Sequence, residues 1–437
     1  MTRVSASAGS GRRRAFARAV GHRKGKGPRP ARDAGRALLS ALAVLAASSV
    51  IVAAVLVVST TSRIAPGVQL LQADGKIAAA PAVGALNGGA NILLAGTDTR
   101  SGQGGSFNSA DQLDGSSGAG SNDVTMVLHI SADHTSAAVI SIPRDLEAPV
   151  PACPDSSGGT YSAQSQAMFN TTLSEGGLSC VVLTAEQLTG LNIQYAAVID
   201  FDGVIAMADA VGGVTVCLDA PIDDPSAELN LPAGMQKLAG ETALAFVRTR
   251  AGVGDGSDLG RISNQQVFLS ALARQVMGDG ALSNPIVLYQ LAHAAATNIH
   301  ASASLANPTT MVTIGLALKN ISLSNIVFLQ YPVVADPADH NRVVPNDDAA
   351  ASLNAALAAD SPLQLTGTLG VGATTAPVAP ARAPAPSATP SVADLLRRPV
   401  PAATATAKAA SVAAPVALPS SISGQTAAES TCSRANS

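Results

Sequence analysis

Three arginines surround a glycine- and aspartate-rich loop in the stretch LAFVRTRAGVGDGSDLGRISNQQ, which runs from Leu244 to Gln266. Arg248 and Arg250 follow an apolar run, and Arg261 follows the loop. A guanidinium group keeps its charge at any relevant pH, and its planar fork matches two oxygens of one phosphate. Because only 13% of the residues in this chain are charged, such a concentration of arginines indicates a diphosphate ligand.

Polar residues also follow three predicted strands. Asp98 and Arg100 come directly after NILLAG, and Asp123 precedes TMVLHIS. Arg144 and Asp145 come after the apolar run AAVISI and a proline. Loops at strand ends are where α/β proteins place their sites. Taken singly, each Asp is explained equally well by capping backbone amides in a turn, and the neighbouring Arg–Asp pair by solvation. All three groups together with the arginine loop favour one shared site.

The combined set has the composition of a phosphoryl-transfer site. Asp98 and Asp123 supply hard carboxylate oxygens, which suit Mg²⁺ bound jointly with substrate phosphate oxygens. Phosphoryl transfer needs mostly positioning and charge stabilisation, which arginines and a metal ion provide. The arginines that could neutralise a diphosphate are Arg100, Arg144, Arg248, Arg250 and Arg261.

Other chemistries find less support in the sequence. The six histidines have no metal-ligand spacing, and His129, inside a predicted strand, fits a structural role better. The sequence contains no CxxC pair, no GxSxG nucleophile elbow and no P-loop. Nucleic-acid binding is disfavoured because the basic residues concentrate next to an apolar segment while the rest of the chain is acidic.

The N-terminal part predicts a membrane anchor. Residues 1–36 form a basic head with eleven Lys and Arg and one acid, while the remainder has 16 basic and 29 acidic residues, a formal net charge of −13. Residues 37–62 contain no charge and have the length that a helix needs to cross a bilayer. Basic flanks stay cytoplasmic, so we expect a single-pass protein of the cell membrane whose C-terminal part is extracytoplasmic. A cleaved signal peptide is the alternative, but no clear small-x-small site ends the apolar run.

Beyond a stalk at residues 63–89, strands and helices interleave, which predicts an α/β fold, a sandwich with a central mixed sheet. We expect the main domain at residues 90–335, its C-terminal end at 336–365, and a disordered Ala/Pro/Ser/Thr-rich tail at 366–437. The predicted helices cover residues 164–175, 182–190, 202–210, 259–277, 285–297 and 304–318.

The four cysteines allow three full pairings, and the sequence alone does not choose between them. Outside the membrane, disulfides persist, and we favour the pair Cys153–Cys180. Cys217 follows a predicted strand and fits a buried thiol, while Cys432 falls in the predicted disordered tail.

Six ordered motifs within residues 88–335 resemble the LytR-CpsA-Psr family in its actinobacterial form. They are NILLAGTDTR, DVTMVLHIS with AAVISIPRDL, MFNTTLSEGG, VIDFDGVIAMADAVGGVTVCL, LPAGMQKLAGETALAFVRTR and DGSDLGRISNQQ. The resemblance implies an α/β/α sandwich with an apolar cleft for a polyprenyl chain. It also implies a membrane-anchored phosphotransferase that moves a glycopolymer, often arabinogalactan, from a polyprenyl-diphosphate carrier onto peptidoglycan.

The resemblance also implies roles for individual residues. Asp98 and Asp123 match the family's magnesium ligands. Asp258 and Gln265 match the segment that borders the diphosphate site, where Asp258 is a candidate catalytic residue, and Asn170 matches a motif asparagine taken as substrate-binding. The positions that match arginines facing the diphosphate are Arg100, Arg144, Arg248, Arg250 and Arg261.

Two departures from the family pattern reduce the positive charge. The family commonly shows Arg-Ser-Asp where this chain has SND at residues 121–123, and Asn264 stands where Arg is common. The apolar helix sequence QQVFLSALARQVM fits a lipid cleft or an ordinary core. Besides a transferase, the sequence is compatible with a non-catalytic module that binds polyprenyl lipid or wall polymer, and with a membrane-tethered regulator.

Overall fold

The computed structural model describes residues 67–78, 88–99, 120–155, 158–278, 285–376 and 414–436, all within the unit Val58–Ser437. The predicted basic head and membrane helix lie outside the described residues, as do Arg100 and residues 63–66 and 79–87 of the predicted stalk. No helix among the residues that are described has the length and apolarity to span a membrane.

A seven-stranded mixed sheet forms the centre of the fold. In spatial order its strands are β13 (Ile299–Ala301), β8 (Tyr195–Ile199), β1 (Ala90–Thr97), β2 (Asn122–Ile130), β3 (Ala137–Ile142), β14 (Ile326–Gln330) and β20 (Gly424–Thr426). The pairs β8–β1 and β3–β14 are parallel, and the other four pairs are antiparallel. The predicted central mixed sheet is therefore confirmed.

Helices cover both faces of this sheet. One face carries α1 (Thr172–Thr189) and α7 (Asp347–Ala358), and the other carries α4 (Asp258–Gly278) and α6 (Pro308–Lys319). Side chains alternate across a strand, so Leu93 of β1 packs with α1, while its neighbour Ile92 packs on the opposite side. The arrangement is the expected α/β/α sandwich.

A second, smaller core lies beside the sandwich. It forms between a four-stranded sheet and the helices α2 (Phe201–Ala210), α3 (Gly240–Arg248) and α4. The strands of that sheet, in spatial order, are β12 (Gly234–Leu238), β9 (Val214–Leu218), β21 (Thr431–Ser433) and β18 (Ala373–Thr375). Helix α5 (Pro285–Asn298) follows α4. The short pairs are β4 (Glu147–Val150) with β7 (Gln164–Met168), β5 (Cys153–Pro154) with β6 (Thr160–Tyr161), β10 (Ile222–Asp224) with β11 (Leu229–Leu231), β15 (Val333–Ala335) with β16 (Val343–Pro345), and β17 (Leu363–Gln364) with β19 (Val416–Ala417).

The predicted disordered tail is wrong for residues 366–376 and 414–436. Strand β20 pairs with β14 at the edge of the central sheet, and β21 pairs with β9. A disulfide joins Cys217 to Cys432, so Cys217 is not a free thiol and Cys432 does not lie in a disordered segment. Low-complexity sequence lacks periodicity, but a three-residue strand needs only an open sheet edge to pair with. Residues 377–413 lie outside the described ranges.

The second disulfide and the shape of α1 are linked. Cys153 and Cys180 form the predicted bond. At Gly176 a Cβ atom would lie 2.6 Å from the Cβ of Cys180 and 2.8 Å from that of Cys153, so only glycine fits beside the disulfide. Helix α1 bends there, with non-helical backbone at Gly176 and Gly177.

The helix prediction needs corrections at several boundaries. Residues 164–168 form strand β7 rather than the start of a helix, because this segment pairs with β4. The predicted helices over 164–175 and 182–190 are replaced by the single bent helix α1. The prediction over 304–318 starts too early, since Asn307 caps α6 by accepting a hydrogen bond from Thr309 N. The sequence prediction missed α3 and α7.

Candidate active site

The first two predicted acids lie on adjacent strands at one end of the central sheet. Thr97 pairs with Asn122 and Gly96 with Val124, which leaves Asp123 as the extra residue of a β-bulge. A bulge re-aims a side chain away from the regular alternation. Asp98 directly follows β1, and its Oδ1 accepts a hydrogen bond of 2.7 Å from Ser121 N. Asp123 therefore lies in the bulge, and Asp98 lies beside it.

Arg144 and Asp145 occupy the turn that follows β3. Arg144 Nη1 lies 2.7 Å from Asp123 Oδ1, and Arg144 Nε lies 3.4 Å from Asp145 Oδ1. Because β2 and β3 are antiparallel neighbours, the end of β3 lies beside the start of β2. This topology brings the second and third sequence clusters together.

The start of α4 contributes a buried ion pair. Arg261 Nη2 lies 2.5 Å from Asp258 Oδ1, one helical turn earlier, and both residues are 5% exposed. The same nitrogen donates a hydrogen bond of 2.6 Å to the carbonyl oxygen of Asp123. Asp258 also accepts a hydrogen bond from Arg144 N through Oδ2, at 3.3 Å. The helix start is thus connected to both the bulge and the β3 turn.

Of the two arginines that precede the glycine-rich loop, Arg250 joins the acids and arginines at the sheet end, and Arg248 contacts Phe201. Arg250 Nη2 lies 3.6 Å from Asp145 Oδ2. The guanidinium of Arg248 stacks over the ring of Phe201, 4.4 Å from the ring centroid, at the start of α2. Beyond Arg250 the chain turns through Gly254 and Gly256, whose φ angles of 58° and 78° favour glycine.

Arg342 is a site residue that the sequence analysis missed. It lies between β15 and β16, and its Nη1 is 3.4 Å from Asp145 Oδ1. Asp145 therefore contacts the guanidinium groups of Arg144, Arg250 and Arg342. The sequence placed Asp145 next to Arg144 but gave it no role. No motif marked Arg342, which lies in the segment 336–365, where the sequence analysis predicted no helix or strand.

Asn170 and Gln265 support this cluster in different ways. Asn170 lies in the turn before α1, and its N donates a 3.2 Å hydrogen bond to Arg144 O. Its Oδ1 is buried and has no hydrogen-bond partner among the described residues. Gln265 Nε2 donates a 2.9 Å hydrogen bond to Val247 O, so this side chain fixes the end of α3 against α4.

Asn264 and Asn122, which lie in the two segments that depart from the family pattern, have structural roles in this chain. Asn264 is fully buried, donates a 2.6 Å hydrogen bond to Phe246 O and accepts one from Ser433 Oγ. Asn122 is also fully buried and binds Phe169 O and Leu173 N, at 3.2 and 3.1 Å, at the start of α1. These amides join backbone segments.

The C-terminal segment holds the arginine loop from outside. Gly254 N donates a 2.9 Å hydrogen bond to Arg434 O, and Asn436 N donates one of 3.0 Å to Gly252 O. These bonds directly follow β21, which the Cys217–Cys432 disulfide fastens to β9. The segment that follows β21 therefore supports the loop between Arg250 and Asp258.

Burial and neighbouring charges affect the acids and bases of the cluster differently. Burial raises the pKa of Asp258, against the attraction of Arg261 and Arg144. For Arg144, burial favours the neutral form, but the charges of Asp123, Asp145 and Asp258 together raise its pKa above the ordinary value. Arg144 therefore remains a cation.

The cluster is suited to binding a polyanion. The Nε atoms of Arg250 and Arg261 are buried and have no hydrogen-bond partner within the described structure. Buried donors of this kind call for a ligand or water. Phosphate oxygens are natural acceptors for guanidinium groups.

The acids offer an incomplete set of metal ligands. Within the described ranges, no three His, Cys, Asp or Glu side chains converge as they would in a self-sufficient metal site. Mg²⁺ usually binds one or two protein carboxylates and completes its coordination with water and substrate phosphate oxygens. The carboxylates of Asp98 and Asp123 fit that pattern, and so they suit magnesium that arrives with a diphosphate.

The fold is an α/β/α sandwich, and its acids and arginines lie together at one end of the central sheet. The chain belongs to the LytR_cpsA_psr family, whose profile matches residues 58–358.

Individual relatives match parts of the chain. The "Cell wall biosynthesis protein LcpA" of Corynebacterium glutamicum is 31% identical over 274 residues, 57% of this chain and 51% of that protein. The "Probable cell wall biosynthesis protein LcpB" of the same bacterium is 38% identical over 224 residues, 50% of each. The "Polyisoprenyl-teichoic acid--peptidoglycan teichoic acid transferase TagV" of Bacillus subtilis is 29% identical over 209 residues, 46% of this chain and 48% of TagV. The chain thus spans about half the length of these curated relatives.

Among solved structures, the "LytR-Csp2A-Psr enzyme from Actinomyces oris" aligns with a TM-score of 0.48 and 21% sequence identity, over 68% of this chain and 96% of that one.

Proposed function

We propose that the protein is a membrane-anchored phosphotransferase that moves a glycopolymer from a polyprenyl-diphosphate carrier onto peptidoglycan. The observation that carries this proposal is the convergence of Arg144, Arg250, Arg261 and Arg342 on the acids at the end of the central sheet. Such a group of cations fits a diphosphate better than a single phosphate. Relatives named as cell wall biosynthesis proteins and as a teichoic acid transferase support the same class of reaction.

The reaction is a displacement at phosphorus. An acceptor hydroxyl oxygen of peptidoglycan attacks the phosphorus that carries the glycopolymer. The bond from that phosphorus to the bridging oxygen breaks, and polyprenyl phosphate leaves with the electron pair. The hydroxyl proton is lost to solvent. The products are a phosphodiester between glycopolymer and peptidoglycan, and polyprenyl phosphate.

The side chains of the site have different roles in this reaction. Arg144, Arg250 and Arg261 bind the diphosphate oxygens and stabilise the charge that grows on the leaving phosphate. Asp258 is a positioning residue, because it is buried and fixes Arg261 and the backbone of Arg144. Asn170 fixes the backbone of Arg144 through the hydrogen bond from its N, and its substrate contact stays a prediction from the sequence. Arg100 and Arg248 remain predicted substrate contacts from the sequence.

Asp98 and Asp123 would hold Mg²⁺ together with the diphosphate. A bound magnesium ion would neutralise charge on the bridging and terminal phosphate oxygens. Because Asp123 Oδ1 already faces Arg144, the residue links the position of the ion to that of the arginine.

The substrate also defines the location of the protein. A polyprenyl carrier resides in the cytoplasmic membrane and peptidoglycan lies outside it, so the domain acts on the outer side. The uncharged segment 37–62 is the proposed anchor. Arabinogalactan is the proposed glycopolymer, on the resemblance to actinobacterial members.

Release of polyprenyl phosphate from a synthetic polyprenyl-diphosphate glycan tests the proposal. The full chain in bilayer nanodiscs is compared with Arg144→Ala and Arg250→Ala, with Mg²⁺ or with a chelator. We expect metal-dependent release that falls at least about 100-fold in both variants, the effect of losing one charged transition-state contact. Arg434→Ala is the matched control. Arg434 is exposed, and its described hydrogen bonds are made by its own backbone N and O, which the substitution keeps. Tight binding of the lipid without any release would instead identify a carrier-binding module.

A further inference from the structure

A long part of the chain lacks acidic residues altogether. Residues 280–335 contain no Asp or Glu, although the chain has 30 such residues in total. This segment includes α5, β13, α6 and β14. Its side chains that can be cationic are Lys319, His293 and His300. A surface built from this segment does not repel an anionic partner.

Helix α6 presents apolar side chains to solvent. Val312 is 62% exposed and Leu316 is 57% exposed, and their spacing of four residues places them on one face. Thr309 and Lys319 are exposed on the same side of the helix. The opposite side packs into the core through Ala317, Ile314 and Leu318. The exposed face is therefore apolar along its middle, with a cation at its C-terminal end.

We call Val312 and Leu316 the apolar patch. Single exposed apolar residues are ordinary, but two on one helix face, in a segment without any carboxylate, indicate a surface that is covered in use.

The path of the chain indicates what covers this patch. The N-terminal segment reaches the domain at Val68, whose N donates to Ala301 O at 2.9 Å and whose O accepts from Ala303 N at 2.8 Å. Residues 301–303 lie in the connection between α5 and α6. The proposed anchor ends at Ser62, only five residues before Gly67. Five extended residues span at most about 18 Å. The α5–α6 connection is therefore kept close to the bilayer surface.

We infer that the apolar patch rests on the lipid bilayer, with Val312 and Leu316 in the interfacial region and Lys319 among anionic headgroups. Apolar side chains flanked by cations and free of acids are the composition of membrane-surface helices. The inference depends on the membrane anchor of the proposed function, and it adds a second membrane contact that fixes how the domain faces its lipid-borne substrate.

Tryptophan fluorescence tests this contact directly, because the chain contains no Trp. The full chain carrying Leu316→Trp is reconstituted in nanodiscs that contain phosphatidylglycerol with brominated or unbrominated acyl chains. We expect brominated lipid to lower the emission at least about twofold, since an interfacial indole lies next to the acyl chains. Val312→Trp is a second probe on the same face. Met235→Trp on β12 is the control, since Met235 is 67% exposed and lies outside the acid-free segment.

Three outcomes would overturn the inference. One is unchanged emission from both α6 probes, and another is equal quenching of the control, which would indicate non-specific adsorption. The third is a blue shift of the α6 probes that grows with protein concentration in detergent without quenching by lipid, which would assign the patch to a second copy of the chain. Release of polyprenyl phosphate is measured in the same nanodiscs. Release without quenching contradicts only the membrane contact, and quenching without release contradicts only the transferase.

Discussion

Arg342 Nη1 lies 3.4 Å from Asp145 Oδ1, although the two residues are 197 positions apart in the chain. The contact brings the connection between β15 and β16 to the turn after β3. It completes a group in which one carboxylate orients three guanidinium groups.

We expect Arg342→Ala to lower kcat/KM for release of polyprenyl phosphate about tenfold, the effect of losing one partly exposed charged contact, about 1.4 kcal/mol. Arg342→Lys should recover only part of the loss, because an ammonium group lacks the planar fork. Wild-type kinetics in Arg342→Ala would show that Arg342 only pairs with protein carboxylates.

Asp145→Asn should lower both KM and kcat, for different reasons. Without this carboxylate the arginines attract the diphosphate more strongly, so KM should fall, while loss of their orientation should lower kcat by about tenfold or more. Steady-state kinetics at fixed ionic strength measure both constants. Asp223→Asn is the control, since Asp223 is an exposed acid on β10 that contacts Asn230. A rise in KM with unchanged kcat would argue against an orienting role.

Removing the Cys217–Cys432 disulfide should loosen the arginine loop. The bond closes a separation of 215 residues, and loops of this size give a disulfide about 3–5 kcal/mol of stability. In Cys217→Ser/Cys432→Ser we expect faster hydrogen exchange at Gly254 N, whose acceptor is Arg434 O. The variant Cys153→Ser/Cys180→Ser is the comparison, and Gly254 should stay protected in it. Equal exchange in both variants would show that the loop does not depend on the C-terminal strand.

We expect the buried carboxyl of Glu186 to make the free energy of unfolding depend on pH. Burial raises the pKa of its carboxyl, partly opposed by the hydrogen bond from Ile193 N. Because this pKa is higher in the folded state than in the unfolded state, the free energy of unfolding falls as the pH rises. The carboxyl's contribution is fully present below the unfolded-state pKa and is lost as the pH rises through the folded-state pKa. Glu186→Gln keeps an acceptor for Ile193 N without the charge. At pH 7 it should raise Tm by up to about 3 °C, and at pH 4 the two proteins should unfold together. A gain of the same size at both pH values would contradict this origin.

Much of the sheet and part of the site follow from local sequence. Apolar runs with turn residues at their ends predicted β1, β2 and β3, and the polar residues just beyond them predicted Asp98, Asp123 and Arg144. These residues lie close together because the ends of adjacent strands meet at the same end of the sheet. Their positions at the strand ends could be read from the sequence.

What the sequence analysis missed depends on long-range contacts. Arg342 and the β14–β20 pair join segments far apart in the chain, and no spacing rule connects them. The even number of cysteines was the available signal for Cys217 and Cys432, but the low-complexity composition around Cys432 outweighed it. The contacts of Asn264 with Phe246 and Ser433 were equally hidden.

The position of β20 and β21 has a consequence for biosynthesis. Both strands follow β14 in the chain by about a hundred residues, yet they complete sheets whose other strands are made much earlier. The edge of β14 and the thiol of Cys217 therefore have no partner until β20 and β21 have been synthesised. During that interval the nascent protein exposes an unpaired strand edge, which is open to pairing with other chains.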